Sequence, residues 1–347
     1  MRDDTRLKAM ALTLLIGSAG GALFAALGLP LPWLLGAMLA TTAGSLAGLR
    51  LQVAKPLRGA MLVVLGILIG SSFTPDLVEQ APRWLWSLAA LPVYVVGIGG
   101  LVMLYLHRVA GFDPKSAYFA ATPGGLGEVV LLADQHGADV RRVALVHSLR
   151  VVLLVTAIPF VVSELGLTLP APPPAGPPPS LADTLLLLGI GAAGSLLAYG
   201  LRAPGALLLG AMVAIAVTHV VGWVETHPPE TLVAVAQVVI GASVGARFSG
   251  LAAREVFHAL GHGAVITVLM LVLAGLLAVV VHPLAGVALL PLMIAYVPGG
   301  VAEMALVALA LGIDPAFVAT HHVVRIALVV GLASIMLRYV PGMRGGG

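Results

Sequence analysis

The chain reads as long apolar runs separated by short polar stretches. A helix needs roughly 20 apolar residues, at about 1.5 Å each, to cross a hydrocarbon core of about 30 Å. Runs of that kind predict helical spans near 9–28, 33–49, 57–74, 85–106 and 143–163. A second set follows near 183–201, 206–223, 232–246, 256–281 and 317–337. Membrane β-strands alternate apolar and polar residues, so unbroken runs speak against a barrel. In each set a segment interrupted by Pro-Gly-Gly, 113–135 and 284–312, stands between the fourth and the last run. It is either a broken crossing or a re-entrant hairpin.

The two sets are copies of one another. Residues 12–40 match 186–214 at an offset of 174, with Gly17/Gly191, Gly20/Gly194, Pro30/Pro204 and Leu34-Leu35-Gly36-Ala37-Met38 against Leu208-Leu209-Gly210-Ala211-Met212. From about residue 63 the offset is 175, and Gly66, Gly70 and Phe73 match Gly241, Gly245 and Phe248. Pro123-Gly124-Gly125 with Glu128 matches Pro298-Gly299-Gly300 with Glu303, and the match runs on through Asp139/Asp314, His147/His322 and Arg150/Arg325. Apolar bias alone aligns Leu and Val by chance, but not Glu, Asp, His and Arg together. The organisation expected is therefore a first repeat over 1–165, a Pro-rich linker over 166–181 and a second repeat over 182–347. The linker is an extended polyproline-type spacer and no crossing. The charged start followed by an apolar run resembles a signal peptide. Its internal copy argues against cleavage.

Composition places this pattern in a membrane. Apolar residues make up 60% and charged residues 10% of 347, against roughly 45–50% and about 25% in soluble domains. So few charges cannot cover a soluble surface. Aromatics are 5% while Gly numbers 42, which favours closely packed helices. The absence of cysteine excludes disulfides, thiolate metal sites and cysteine nucleophiles.

The few cations choose between the two readings of the Pro-Gly-Gly segments. If these cross, ten Lys and Arg lie inside and six outside; if they re-enter, fifteen lie inside and only Arg83 outside, with Arg150 and Arg325 inside spans and uncounted. The positive-inside rule favours the second arrangement. The expected fold is thus an all-α polytopic membrane protein of two inverted-topology repeats. Each has about five spans and a re-entrant or broken Pro-Gly-Gly helix. The expected location is the cell's inner (plasma) membrane, with both termini cytoplasmic. Inverted repeats with broken helices near the midplane are a secondary-transporter architecture.

The candidate chemistry lies at the breaks. Pro123, Gly124, Gly125 and Pro298, Gly299, Gly300 interrupt helices inside apolar surroundings, where irregular backbone is tolerated only if buried or lining a wet cavity. The helix after each break starts with unpaired N–H groups and a positive dipole end, suited to an anion. Glu128 and Glu303 sit about one turn in and could fill that role as self-caps of a plain kink. Arg150 and Arg325 fall within spans, where a cation costs about 2.5–3.5 kcal/mol on insertion scales. Their natural partners are Glu128 and Glu303, either in a structural bridge or in a midplane site for an anionic solute. His147 and His322, three residues before each Arg, share its helix face. His258 and His262 read as a cytoplasmic helix end, with no third metal ligand nearby. His321 faces away from His322, and His219, His227 and His282 look like interface residues. Trp33, Trp84, Trp86 and Trp223 read as interfacial anchors.

These residues resemble a known family. The run 27–38, Leu-Gly-Leu-Pro-Leu-Pro-Trp-Leu-Leu-Gly-Ala-Met, is similar to the AbrB-duplication membrane proteins, as are Thr-Pro-Gly-Gly-Leu-Gly-Glu (122–128), Val-Ala-Leu-Val-His-Ser-Leu-Arg (143–150) and Val-Pro-Gly-Gly-Val-Ala-Glu-Met (297–304). The family is distinct from the small soluble transition-state regulator that shares the name. Its labels, ammonia monooxygenase and regulator of gene expression, imply an enzyme or a regulator. A fold-level likeness to cation/proton antiporters implies transport.

The function expected is a secondary transporter of a small anionic organic solute, coupled to a proton or cation, in a lipid bilayer. No cofactor, resident metal, catalytic residue or nucleic-acid partner is expected, and a homo-oligomer is left open. A monooxygenase would need several converging His or carboxylate ligands. A regulator would act indirectly, because no segment is long and polar enough for a DNA-binding domain.

Overall fold

The computed structural model describes residues 2–166 and 179–336, apart from the side chains of residues 2–4, Val78, Leu126, Glu128 and 332–336. Most of the Pro-rich linker (167–178), Arg338 and Arg344 lie outside the described residues. Among the described residues there are helices and no strand. The first half holds α1 (Arg2–Ala26), α2 (Pro32–Leu46), α3 (Lys55–Gly70), the short α4 (Pro75–Gln80), α5 (Trp84–Arg108), α6 (Pro114–Ala121), α7 (Leu126–Gln135) and α8 (Val140–Glu164). The second half holds α9 (Leu181–Gly200), α10 (Ala206–Val220), α11 (Glu230–Gly245), α12 (Ala253–Ala285), α13 (Leu289–Tyr296), α14 (Val301–Ala310) and α15 (Pro315–Met336).

Six helical stretches among the described residues are long and apolar enough to cross a membrane: Thr5–Ala26, Pro75–Arg108, Val140–Glu164, Leu181–Gly200, Glu230–Phe248 and Ala253–Ala285. The outward sides of α5 and α12 carry exposed Leu85, Val93, Leu104, Val268, Val272 and Leu276. Such apolar side chains face outward where lipid is the solvent. This is a helical membrane protein. Three expected spans are shorter than their apolar runs, since α2, α3 and α10 have 15, 16 and 15 residues. The run predicted to reach residue 74 stops at Gly70, because Thr74 precedes Pro75 and is steered out of helical backbone.

Contacts divide the helices into two compact units. One comprises Met1–Gln80, Thr156–Ala253 and Ala305–Ala316; the other comprises Ala81–Val155, Arg254–Met304 and Phe317–Gly347. In the first unit α1 packs on α2, α2 on α11, α9 on α10 and α10 on α3. Glycine sets the spacing. A Cβ on Gly20 would strike the carbonyl of Gly36, and a Cβ on Gly194 that of Gly210. Gly66 likewise abuts the carbonyl of Leu208, and Gly241 that of Leu34. Each contact recurs at the matching position of the other half, and the Gly66–Leu208 and Gly241–Leu34 pairs close helices of one half against helices of the other. Small residues permit this approach where apolar burial gives no net drive, because lipid tails are as apolar as leucine.

The second unit holds the Pro-Gly-Gly segments. Here α5 and α12 run antiparallel: Tyr105 Oη lies 2.9 Å from His262 Nδ1, and Tyr94 Oη donates to the carbonyl of Met270 at 3.4 Å. The start of α8 joins the start of α12 through Arg141 and Glu255 at 2.7 Å. The start of α15 joins the start of α5, with the Phe317 ring edge-on to Trp84 at 5.4 Å and His321 Nε2 2.8 Å from Ser87 Oγ.

Candidate functional site

Each Pro-Gly-Gly segment is a short helix, a four-residue break and a second short helix. The first break is Thr122–Gly125 between α6 and α7, and the second is Val297–Gly300 between α13 and α14. Proline has no N–H to donate and cannot prolong the preceding helix. The last carbonyls of α6 and α13 therefore have no partner further along their own helix and stand at the negative end of the helix dipole. The glycines pack tightly: a Cβ on Gly124 would come within 2.8 Å of Val129, and one on Gly299 would overlap Met304.

The two buried arginines are aimed at those carbonyls. Arg150 and Arg325 are 2% and 1% exposed. Arg325 Nη1 donates to the carbonyl of Val297 at 3.0 Å and more weakly to that of Tyr296 at 3.4 Å, while Nη2 donates to that of Gly299 at 3.0 Å. Arg150 reaches the carbonyl of Thr122, the equivalent of Val297, at 3.4 Å through Nη1. Its Nη2 donates to Nδ1 of His147 at 2.9 Å. Arginine has no acceptor, so Nδ1 of His147 must accept. Nε2–H of that imidazole then donates to the carbonyl of Phe119 at 3.0 Å.

This corrects the expected Arg–Glu bridge in the second repeat. Among the described residues Arg325 forms no ion pair with Glu303. The buried carboxylate of Glu303 folds back over Gly300 at the first turn of α14, where a Cβ on Gly300 would overlap it. The helix start competes successfully for the carboxylate, and the helix end for the guanidinium. Glu128 holds the matching place in the first turn of α7, and its side chain lies outside the described residues. The two histidines also part company. His322 Nδ1–H donates to the carbonyl of Val318 at 2.9 Å and leaves Arg325 alone.

Arg150 and Arg325 act electrostatically on each other, and both act on Tyr94. The Tyr94 ring stacks with that of Tyr296 at 5.9 Å, and Tyr296 Oη donates to the carbonyl of Ser87 at 3.0 Å. Buried His321 bonds Ser87 and packs on the rings of Tyr296 and Phe317. The sequence reading set it on another side of the helix from His322 and gave it no part in the site. Tyr94, Tyr296 and Ser87 were missed. Their one sequence signal is a hydroxyl inside an apolar run. Trp84 also departs from expectation: it is buried against Phe317 and is no interfacial anchor, whereas Trp86 and Trp223 are exposed. His219, expected at an interface, is buried, with ring nitrogens 3.1 and 3.0 Å from the carbonyls of Ile215 and Thr226. Among the described residues no three His, Asp or Glu come together as a metal ion would need.

A family model described as "Transition state regulatory protein AbrB" matches residues 33–341 and so spans both breaks and both arginines. The chain belongs to the AbrB family. Protein YhjN of Bacillus subtilis (strain 168) is 26% identical over 331 residues, covering 87% of this chain and 85% of that protein. The Escherichia coli (strain K12) protein named "Putative regulator AbrB" is 29% identical over 230 residues, 65% of this chain and 66% of its own length. The AbrB match thus runs from α2 to α15 and is not confined to one motif.

Proposed function

We propose that this AbrB-family protein is a secondary transporter of a small anionic organic solute, bound where the two Pro-Gly-Gly breaks approach one another. One observation carries the reading. Two wholly buried guanidiniums, from equivalent positions of the two halves, lie within electrostatic reach, and among the described residues Arg325 spends its charge on carbonyl dipoles instead of a carboxylate. Cations left that way inside a membrane protein are costly and mark solute or ion pathways. An anion between them supplies the missing charge.

The helix directions support an inverted repeat with re-entrant hairpins. The end of α5 and the start of α8 both stand at the first turns of α12, as chain that enters and leaves on one side requires. The starts of α5 and α15 stand together, which suits the opposite sense for the second hairpin. Charge counting favours the same arrangement. Equivalent close contacts at Gly20 and Gly194, and at Gly66 and Gly241, fit two copies of one fold joined back to back.

Glu303, buried on its own helix start, is the residue we assign to proton or cation coupling. Flux of an organic monoanion into proteoliposomes tests the proposal. Arg150→Ala or Glu303→Gln cuts flux to a small measurable remainder if the site is right, and flux at the unaltered rate in both variants rejects it. The regulatory name of the Escherichia coli relative supports a second reading, in which the protein affects expression through a partner on the 107–116 or 247–255 loop. Cross-linked capture of one defined partner on those loops, with no flux, would favour it.

A further inference from the structure

Charge is sorted along the first unit. The starts of α1, α3 and α10 and the ends of α2, α9 and α11 come to one end of it. Gln52 Nε2 donates to the carbonyl of Arg6 at 3.0 Å, Ser249 Oγ donates to that of Leu49 at 3.1 Å, and a Cβ on Gly59 would come within 2.9 Å of Leu207. Arg6, Arg50, Lys55, Arg58, Arg202 and Arg247 stand on these segments, residues 2–8, 47–58, 201–205 and 246–252. The acids of the same segments are Asp3 and Asp4, in the first turn of α1. The opposite end is acidic. Asp76, Glu79, Asp183, Glu225 and Glu230 stand there, and the loops 27–31, 71–80 and 221–229 hold no Lys or Arg.

Three of these cations stand where the backbone disfavours them. Lys55 and Arg58 occupy the first turn of α3, the positive end of its dipole, which has no acidic residue and no side-chain cap. Arg202 is in left-handed backbone at φ 55°, where the other half has Gly28 at φ 65°, and a side chain is strained there. The approach of Gly59 to Leu207 sets the three around one junction, the starts of α3 and α10. Among the described residues none of the three makes an ion pair. A sidedness signal requires none of these placements, since any cation on that side would serve it. Exposed Leu197, Tyr199 and Leu201 border the junction at the end of α9, directly before Arg202. Cations beside an outward apolar belt suit a phosphate that carries acyl chains, and suit neither a nucleic acid nor a soluble anion. We propose that this junction binds an anionic phospholipid, its phosphate against Lys55, Arg58 and Arg202 and its chains along the outer side of α9. Arg6 and Arg50 strengthen the field at the same end. The proposal is independent of the transporter reading.

Lipid binding to the purified full-length protein in neutral detergent is measured by native mass spectrometry. The probes are phosphatidylglycerol, phosphatidylcholine with the same acyl chains, and glycerol phosphate. The wild type is expected to bind phosphatidylglycerol at least about tenfold more tightly than phosphatidylcholine. The triple variant Lys55→Gln, Arg58→Gln, Arg202→Gly is expected to lose that preference. Removing three charges from the second unit instead, by Arg83→Gln, Arg108→Gln and Lys115→Gln, is expected to leave it intact. Arg202→Gly alone relieves the left-handed strain, so it should unfold in lipid-free detergent at no lower temperature than the wild type while phosphatidylglycerol protects it less. Equal binding of the two lipids by the wild type overturns the proposal, and that comparison needs no variant. Equal loss of preference in both triple variants overturns it too, because net charge and not the junction would then be read. Glycerol phosphate binding as tightly as phosphatidylglycerol would make the ligand a soluble phosphate and overturn the lipid assignment.

Discussion

His147 Nδ1 accepts a hydrogen bond from Arg150 at 2.9 Å, three residues along α8. The equivalent pair, His322 and Arg325, stands on the same face of α15 and makes no such bond; His322 turns its Nδ1 to Val318 and Arg325 grips the carbonyls of Val297 and Gly299. Identical residues at duplicated positions thus do different work.

The two histidines should differ in their contribution to stability. His147→Leu strands one Arg150 N–H and the carbonyl of Phe119, and is expected to destabilise by about 1–3 kcal/mol. His322→Leu gives up a bond to Val318 within its own helix and strands no charged donor, so it should cost less. Thermal unfolding in detergent ranks the two, and a larger loss in His322→Leu would contradict the assigned bonds.

The glycine crossings of the first unit make a paired prediction. Gly20→Val and Gly194→Val each push a side chain into the facing carbonyl, of Gly36 and Gly210. Overpacking of this kind costs about 1–3 kcal/mol. Both variants should lose similar stability. Gly97→Val is the control, since nothing lies within 4 Å of a Cβ there.

Asp113 caps α6, its Oδ1 accepting from the N–H of Lys115 at 3.1 Å and of Ser116 at 3.0 Å. Partial burial alone would raise its pKa, but these bonds outweigh it and hold the carboxyl below its ordinary value of 3.8. A depressed folded pKa gives stability that is complete above the unfolded value and fades as pH falls through the folded one. Asp113→Ala should therefore cost about 1 kcal/mol equally at pH 7 and pH 5, and the difference should shrink only in stronger acid. Ala288 holds the equivalent place without a side-chain cap.

The chain has no cysteine, so single cysteines report sidedness without background. Val109→Cys and Gln135→Cys flank the first Pro-Gly-Gly segment. A membrane-impermeant thiol reagent should label both from the same face in intact cells or oriented vesicles, and Arg83→Cys from the opposite face. Labelling of Val109→Cys and Gln135→Cys from opposite faces would make the segment a crossing.

Much of the helical pattern was legible because apolar runs are written in residue types. Helices match the predicted spans closely at α5, α8, α9, α11 and α15. Span ends at α2, α3 and α10 were harder, because a buried run stays apolar after its helix has stopped. At the site, Arg150, Arg325 and both breaks stood out as charge and helix breakers inside apolar sequence. Their partners did not. The acceptors are backbone carbonyls, which every residue carries, and a helix end is visible as an acceptor only once the break is placed. Tyr94 sits on a different helix from either arginine and only the packing of α5 brings it near them.

The central claim is that Arg150 and Arg325 serve one solute. A double-mutant cycle tests it most directly, with anion flux in proteoliposomes measured for wild type, Arg150→Ala, Arg325→Ala and the double variant. Residues sharing a site couple, whereas distant ones add. The double variant should transport no worse than the poorer single variant. Losses that multiply, each arginine acting in full whether or not the other is present, would place the two in separate sites and contradict the account.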